Sequence, residues 1–156
     1  GEMLNQQAGI QLVHVPYKGA TGVTDLLSGQ SIGAMFATIP SVIAHVRAGR
    51  LRAIAVTTLN RSQSSSDVPT IAELGFPGFD GSSWFGIVGP AGLPRAIVDK
   101  WQAEVARILQ KPEVRERFVS MGADPVGGTP EEFAAYIRSE TTKWGALVRA
   151  NNIKAD

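Results

Sequence analysis

Ile10-Gln11-Leu12-Val13-His14-Val15-Pro16-Tyr17-Lys18-Gly19-Ala20-Thr21-Gly22-Val23-Thr24-Asp25-Leu26-Leu27-Ser28-Gly29 is the stretch whose reading decides the fold. Ile10 to Val15 reads as a strand, because Val13 and Val15 suit a pleated, half-buried surface. Pro16 to Ala20 is a tight loop. Thr21 or the residues beside it can cap a short helix through Leu27, and Gly29 ends that helix.

The alternation continues outward. Upstream, Met3 to Ala8 reads as the end of a helix stopped by Gly9. Downstream, Ser31 to Phe36 is a second strand, and Pro40 opens a helix over Ser41 to Ala48 that Gly49 closes. Leu51 to Thr57 is a third strand, with Leu51, Ala53, Ala55 and Thr57 alternating against Arg52, Ile54 and Val56. Asn60 to Asp67 is polar and Ser-rich, hence an exposed loop, and Pro69 to Leu74 is a short helix ended by Gly75. Trp84 to Val88 reads as a strand after a Gly-containing connection. Pro94 begins a longer helix with Ile97, Val98, Trp101, Val105, Ile108 and Leu109 on one face. Pro112 starts a further helix to Met121, with Gly122 as its stop. Thr129-Pro130-Glu131-Glu132 is a helix start in which Thr129 caps, Pro130 takes the first helical position and Glu132 closes a capping box. That helix carries Phe133, Tyr136, Ile137, Trp144, Leu147 and Val148 on one side. Trp101 and Trp144 are expected in the core, and Trp84 in a segment that could cross between domains.

Alternating strands and helices predict an α/β fold with a largely parallel sheet flanked by helices. In such sheets ligands sit beyond the C-terminal strand ends, here Pro16 to Thr21 and Phe36 to Pro40. The chain has 156 residues, which suits one domain, or one lobe plus part of another. Apolar residues make up 44% and charged residues 19%, as in a globular protein with a core. A net charge of +1 leaves no electrostatic footprint for nucleic acid. Cysteine is absent, which removes disulfides, thiolate metal sites and Cys nucleophiles. Apolar runs fall far short of the roughly 18 to 20 residues that a membrane helix needs. Gly1-Glu2-Met3-Leu4 lacks the basic start and apolar stretch of a secretory signal.

Two loops carry candidate chemistry. In Tyr17-Lys18-Gly19-Ala20-Thr21, Gly19 lets the backbone approach a ligand closely, and the amides of a following helix favour an anion. Lys18 adds positive charge and Tyr17 a flat face with a hydroxyl. An ordinary strand-to-helix turn accounts for the same residues. No Gly-Lys-Ser/Thr follows, so the loop is not a Walker phosphate loop. Phe36-Ala37-Thr38 has the same setting one strand later, where Thr38 could donate to a ligand or cap its own helix. The two histidines, His14 and His45, have no partners at metal-ligand spacing, so no metal is expected. No nucleophile elbow or paired-carboxylate arrangement occurs, so neither catalytic residues nor a cofactor is expected.

Further motifs carry a resemblance. These are His14-Val15-Pro16-Tyr17-Lys18-Gly19, Asp25 to Gln30, Ala48 to Thr57, Arg61-Ser62 and Asp67-Val68-Pro69-Thr70-Ile71-Ala72-Glu73-Leu74-Gly75. Trp84 to Gly92 and Thr129 to Phe133 follow in order. Together they resemble the substrate-binding proteins of tripartite tricarboxylate transporters, the Bug family. The resemblance implies a two-lobed periplasmic binding protein, type II, that closes on a small organic carboxylate and delivers it to the transporter's membrane components. It implies that residues 1–83 form the ligand-binding α/β part of the second lobe. Residues 84–156 would form the hinge crossing and a C-terminal helical segment that returns to a first lobe lying upstream of Gly1. Tyr17, Lys18, Gly19, Ala20, Thr21, Phe36, Ala37 and Thr38 would be this chain's share of the site. Ala37 stands where many relatives carry Asp or Asn, which removes one polar contact. Apolar faces left without a first lobe are expected to pack by dimerisation or domain exchange. A sensing module of the same fold, and a small enzyme using the Tyr17-Lys18 loop, are the alternatives.

Overall fold

The structure, a computed structural model, describes residues 1–153. It contains α1 (Glu2–Ala8), α2 (Gly22–Ser28), α3 (Ile39–Arg47), α4 (Arg95–Leu109), α5 (Pro112–Ser120) and α6 (Pro130–Ala150), with 3-10 turns at Gly19–Thr21 and Gln63–Ser65. The chain divides into two compact units. One holds Met3–Trp84 with Arg117–Asp124, and the other Phe85–Glu116 with residues 125–153.

The helices begin and end where local chemistry demands. Gly9 and Gly29 take left-handed conformations that stop α1 and α2. At α6, Thr129 Oγ1 accepts from the Glu132 amide at 3.1 Å, and the Glu132 carboxylate accepts from the Thr129 amide at 2.8 Å. Two otherwise orphaned donors are thereby satisfied reciprocally, as the sequence predicts.

The strands differ from expectation. Those predicted at Ile10 to Val15, Ser31 to Phe36, Leu51 to Thr57 and Trp84 to Val88 form no ladder among the described residues. One parallel bridge, Val56 with Thr70, is the β pairing there. A helix closes its hydrogen bonds within itself, whereas a strand needs a second segment about 4.8 Å away. Alternation reports a half-buried surface and not whether a partner exists. Pro69 to Leu74, predicted as a helix, instead holds the bridge residue Thr70 followed by turns from Ile71 onward. Its start is nonetheless capped: Thr70 Oγ1 accepts from the Glu73 amide at 3.0 Å, and Glu73 accepts from the Thr70 amide at 2.7 Å.

The core of the first unit gathers around that bridge. Val56 donates to the Pro69 carbonyl at 2.9 Å and accepts from Ile71 at 3.0 Å, while Thr57 accepts from the Gly81 amide at 2.8 Å. Val56, Val68, Ile71 and Phe79 are buried, and Thr70 is the most enclosed side chain.

In the second unit, α6 turns Phe133, Ile137, Glu140, Trp144 and Leu147 inward. Glu140 is buried, accepting from Trp144 Nε1 at 2.8 Å and pairing with Lys143. On α4 the half-buried residues are Val98, Gln102, Val105, Ala106 and Leu109. Trp101, expected in the core, is 60% exposed. Its Cα lies near the rim of the apolar stripe, about 100° per residue around the axis, so the period alone could not decide which side of the rim it takes.

Candidate functional site

Pro16 ends the first extended segment, and the chain turns through Lys18 into the 3-10 turn Gly19–Thr21. Gly19 has φ +62°, a left-handed conformation that favours glycine. The amides of Gly19 and Ala20 head this turn and by position have no partner within it. Lys18 is exposed, and no described residue pairs with its ammonium group. Thr21, expected to cap, instead donates its hydroxyl to the Lys18 carbonyl at 3.0 Å. That bond closes the loop on itself. It uses the single proton of the hydroxyl, so Thr21 does not donate outward in this conformation.

Tyr17 is similarly engaged. Its hydroxyl donates to Asp25 Oδ2 at 2.7 Å. A carboxylate ligand is an acceptor only, so a phenol whose proton goes to Asp25 offers it nothing. The bond to Asp25, followed by burial and the carboxylate's charge, raises the tyrosine pKa above its ordinary value. Asp25 is the functional neighbour that the sequence reading missed. Tyr17 lies before the 3-10 turn and Asp25 inside α2, so no single helical or strand period relates them and only the folded turn reveals the bond.

Phe36 and Thr38 lead into α3. Phe36 is half exposed, and its ring edge lies beside Gly1. Thr38 holds the N-cap position of α3, but its hydroxyl makes no capping bond. It donates to Ser41 Oγ at 3.3 Å, while Ser41 donates back to the Thr38 carbonyl at 2.7 Å. Ala37 is exposed. No hydrogen bond joins Tyr17 to Thr21 with Phe36 to Thr38 among the described residues. Each group is ordered by its own local bonds.

A cavity of about 320 Å³ opens elsewhere in the first unit, lined by Thr58, Leu59, Asn60, Arg61, Gln63, Asp80, Ser82 and Asp124. None of the candidate site residues Tyr17 to Thr21 or Phe36 to Thr38 lies in it, although Arg61 of the motifs quoted above does. Its electrostatics do not suit a carboxylate. Asp80 and Asp124 face it, and Arg61 is already bonded to Glu73 at 2.9 Å and to the Ser66 carbonyl at 3.1 Å. The Lys18 loop, by contrast, carries an exposed cation with no ion-pair partner among the described residues, and the nearby Asp25 is bonded to Tyr17.

The family model for the tripartite tricarboxylate transporter family receptor matches residues 1–153. The chain belongs to this family. Protein BugT of Bordetella pertussis, a relative, is 36% identical over 154 residues, covering 98% of this chain and 47% of BugT. The solved structure of a periplasmic transporter superposes with TM-score 0.84 at 36% identity, covering 99% of this chain and 52% of that one. Rpa4515 of R. palustris, solved with adipate, superposes with TM-score 0.82 at 30% identity, covering 95% and 50%. The receptor-family chain described here thus spans about half the length of these relatives. Among its described residues, no helix is long and apolar enough to cross a membrane.

Proposed function

We propose that the protein is a periplasmic solute-binding receptor that captures a small organic carboxylate and presents it to the membrane components of a tripartite transporter. The observation that carries this reading is the receptor-family match along residues 1–153, joined to the backbone likeness to an adipate-bound protein. Adipate is a flexible dicarboxylate, a ligand that needs cations and amides at its ends and apolar contact between them. In this reading Lys18, with the amides of Gly19 and Ala20, holds one carboxylate, while Tyr17 and Thr21 shape that turn. Phe36 contributes apolar surface, and Ala37 and Thr38 complete the wall. The reaction is capture and release without bond-making, because no group in the loop is placed as a nucleophile or base.

We also infer that the segments Ile10 to Val15, Ser31 to Phe36, Leu51 to Thr57 and Trp84 to Val88 are strands of a type II lobe architecture that pair and become covered in the protein from its complete reading frame. Val13 at 89% exposure and Phe85 at 91% support this, since apolar side chains so placed gain most from burial. Residues 85–116 and 125–153, which form the second unit, then serve the other lobe.

Calorimetric titration of the protein expressed from its complete reading frame, against adipate, succinate and citrate, tests the function. Saturable binding with the acid recovered unchanged is expected. Binding of none of these acids, or conversion of one, would overturn the proposal. Sedimentation in the same preparation separates the ways of covering the apolar faces, since a stable dimer would mean that a second copy covers them.

A further inference from the structure

We infer that Tyr17 and Asp25 are a positioning pair that sets the conformation of the Lys18-Gly19-Ala20 turn and does not contact the bound acid. This rests on the carboxylate reading of that turn.

Three observations converge. The Tyr17 hydroxyl donates to Asp25 Oδ2 at 2.7 Å, a bond that ties the residue before the turn to the helix after it. The Tyr17 ring lies flat on Gly22: a Cβ built there would stand 2.9 Å from Tyr17 Cγ, closer than side-chain packing permits. Gly22 and Val23 are buried, so the floor under the ring is fixed. The turn is therefore held at its entry by Tyr17, at its exit by Gly22 and Asp25, and across its middle by Thr21 on the Lys18 carbonyl. Lys18 is left at the crest.

The position of Asp25 needs such an explanation. A carboxylate in the first turn of α2 favours the helix but repels a nearby anion. A residue with that cost to an anion site is explained by the bond it accepts. Asn would accept the same bond without the charge, and this gives the proposal its discriminating variant.

The test uses the protein from its complete reading frame, with adipate, succinate and citrate as probes and the melting temperature of every variant recorded. Tyr17→Phe and Asp25→Leu should each weaken binding by about three- to tenfold, and the double variant should be no weaker than either single one. Asp25→Asn, which keeps an acceptor and sheds a negative charge, should bind at least as tightly as the unaltered protein. If Tyr17→Phe weakens binding and Asp25→Leu does not, Tyr17 touches the acid and the proposal is overturned. Unchanged affinity in both variants also overturns it.

If the unaltered protein binds none of the probes, the carboxylate reading fails separately. The pair is then judged by the part of the tyrosinate absorbance that Tyr17→Phe removes, which isolates the Tyr17 titration by difference. Tyr17 should ionise above the ordinary phenol range, and Asp25→Leu should return it there. Ionisation that Asp25→Leu leaves unmoved contradicts the brace.

Discussion

Lys18 stands on a turn whose neighbouring side chains have spent their protons. Thr21 donates to the Lys18 carbonyl and Tyr17 to Asp25, so in the proposed capture of an acid the donors are the ammonium group and the leading amides. Replacing Lys18 by Met should therefore weaken dicarboxylate binding by roughly ten- to a hundredfold, the range expected for losing one charge-assisted bond. The same replacement should flatten the salt dependence of affinity, because the attraction of an exposed ammonium is screened. Unchanged affinity in calorimetry at low and high salt would move the site elsewhere. Gly22→Ala pushes against the Tyr17 ring and should cost about 1–3 kcal/mol of stability. Thermal melts check this directly, and a neutral outcome would mean that the ring is free to leave. At this scale the turn at Gly19 was legible from residue type alone. The sequence reading missed that Tyr17 and Thr21 turn inward, because a hydroxyl's choice of acceptor is made by the folded turn.

The elements show where sequence reading works and where it stops. The start of α6 was legible because a capping box is written within four consecutive residues. Thr129→Ala should lower stability by about 0.5–2 kcal/mol, readable in denaturant melts, and loss of nothing would show that α6 is held by its packed face instead. The glycine stops of α1 and α2 were legible for the same local reason. The strands were not. A ladder depends on a segment distant in the chain, and among the described residues only Val56 finds one, at Thr70. Two carboxylates make acid sensitivity a property of these elements. The amide of Thr70, then Arg61, holds Glu73 below the ordinary carboxylate range, and Arg95 does the same for Glu131. A lowered folded pKa adds stability above the unfolded value, and that stability is lost as pH falls through the folded one. The melting temperature should thus drop on acidification through and below the usual glutamate range. Glu73→Gln should flatten part of that drop. A slope identical in both proteins would show that Glu73 is not held as described.

The whole molecule combines a small buried centre with much exposed apolar surface. Val56, Val68, Ile71 and Phe79 are enclosed, whereas Val13, Ile54, Phe85, Ile87 and Val88 face outward. Alternating segments led to the α/β expectation; the backbone superposes on that of a periplasmic transporter, while the described residues form helices and one isolated bridge. Pairing of the strands could not be read, since alternation within one segment does not name a partner segment. In the protein from its complete reading frame, the amides of Ile10 to Val15 and Leu51 to Thr57 should be protected from hydrogen exchange; rapid exchange there would contradict a completed sheet. The central claim concerns where an acid binds. A crystal structure of that protein with the tightest-binding acid among adipate, succinate and citrate tests it most directly. The account predicts a carboxylate group bonded to Lys18 and the Gly19-Ala20 amides, with Tyr17 still on Asp25. An acid seated in the cavity beside Asp80 and Arg61, or held with no contact to the Lys18 turn, would contradict it.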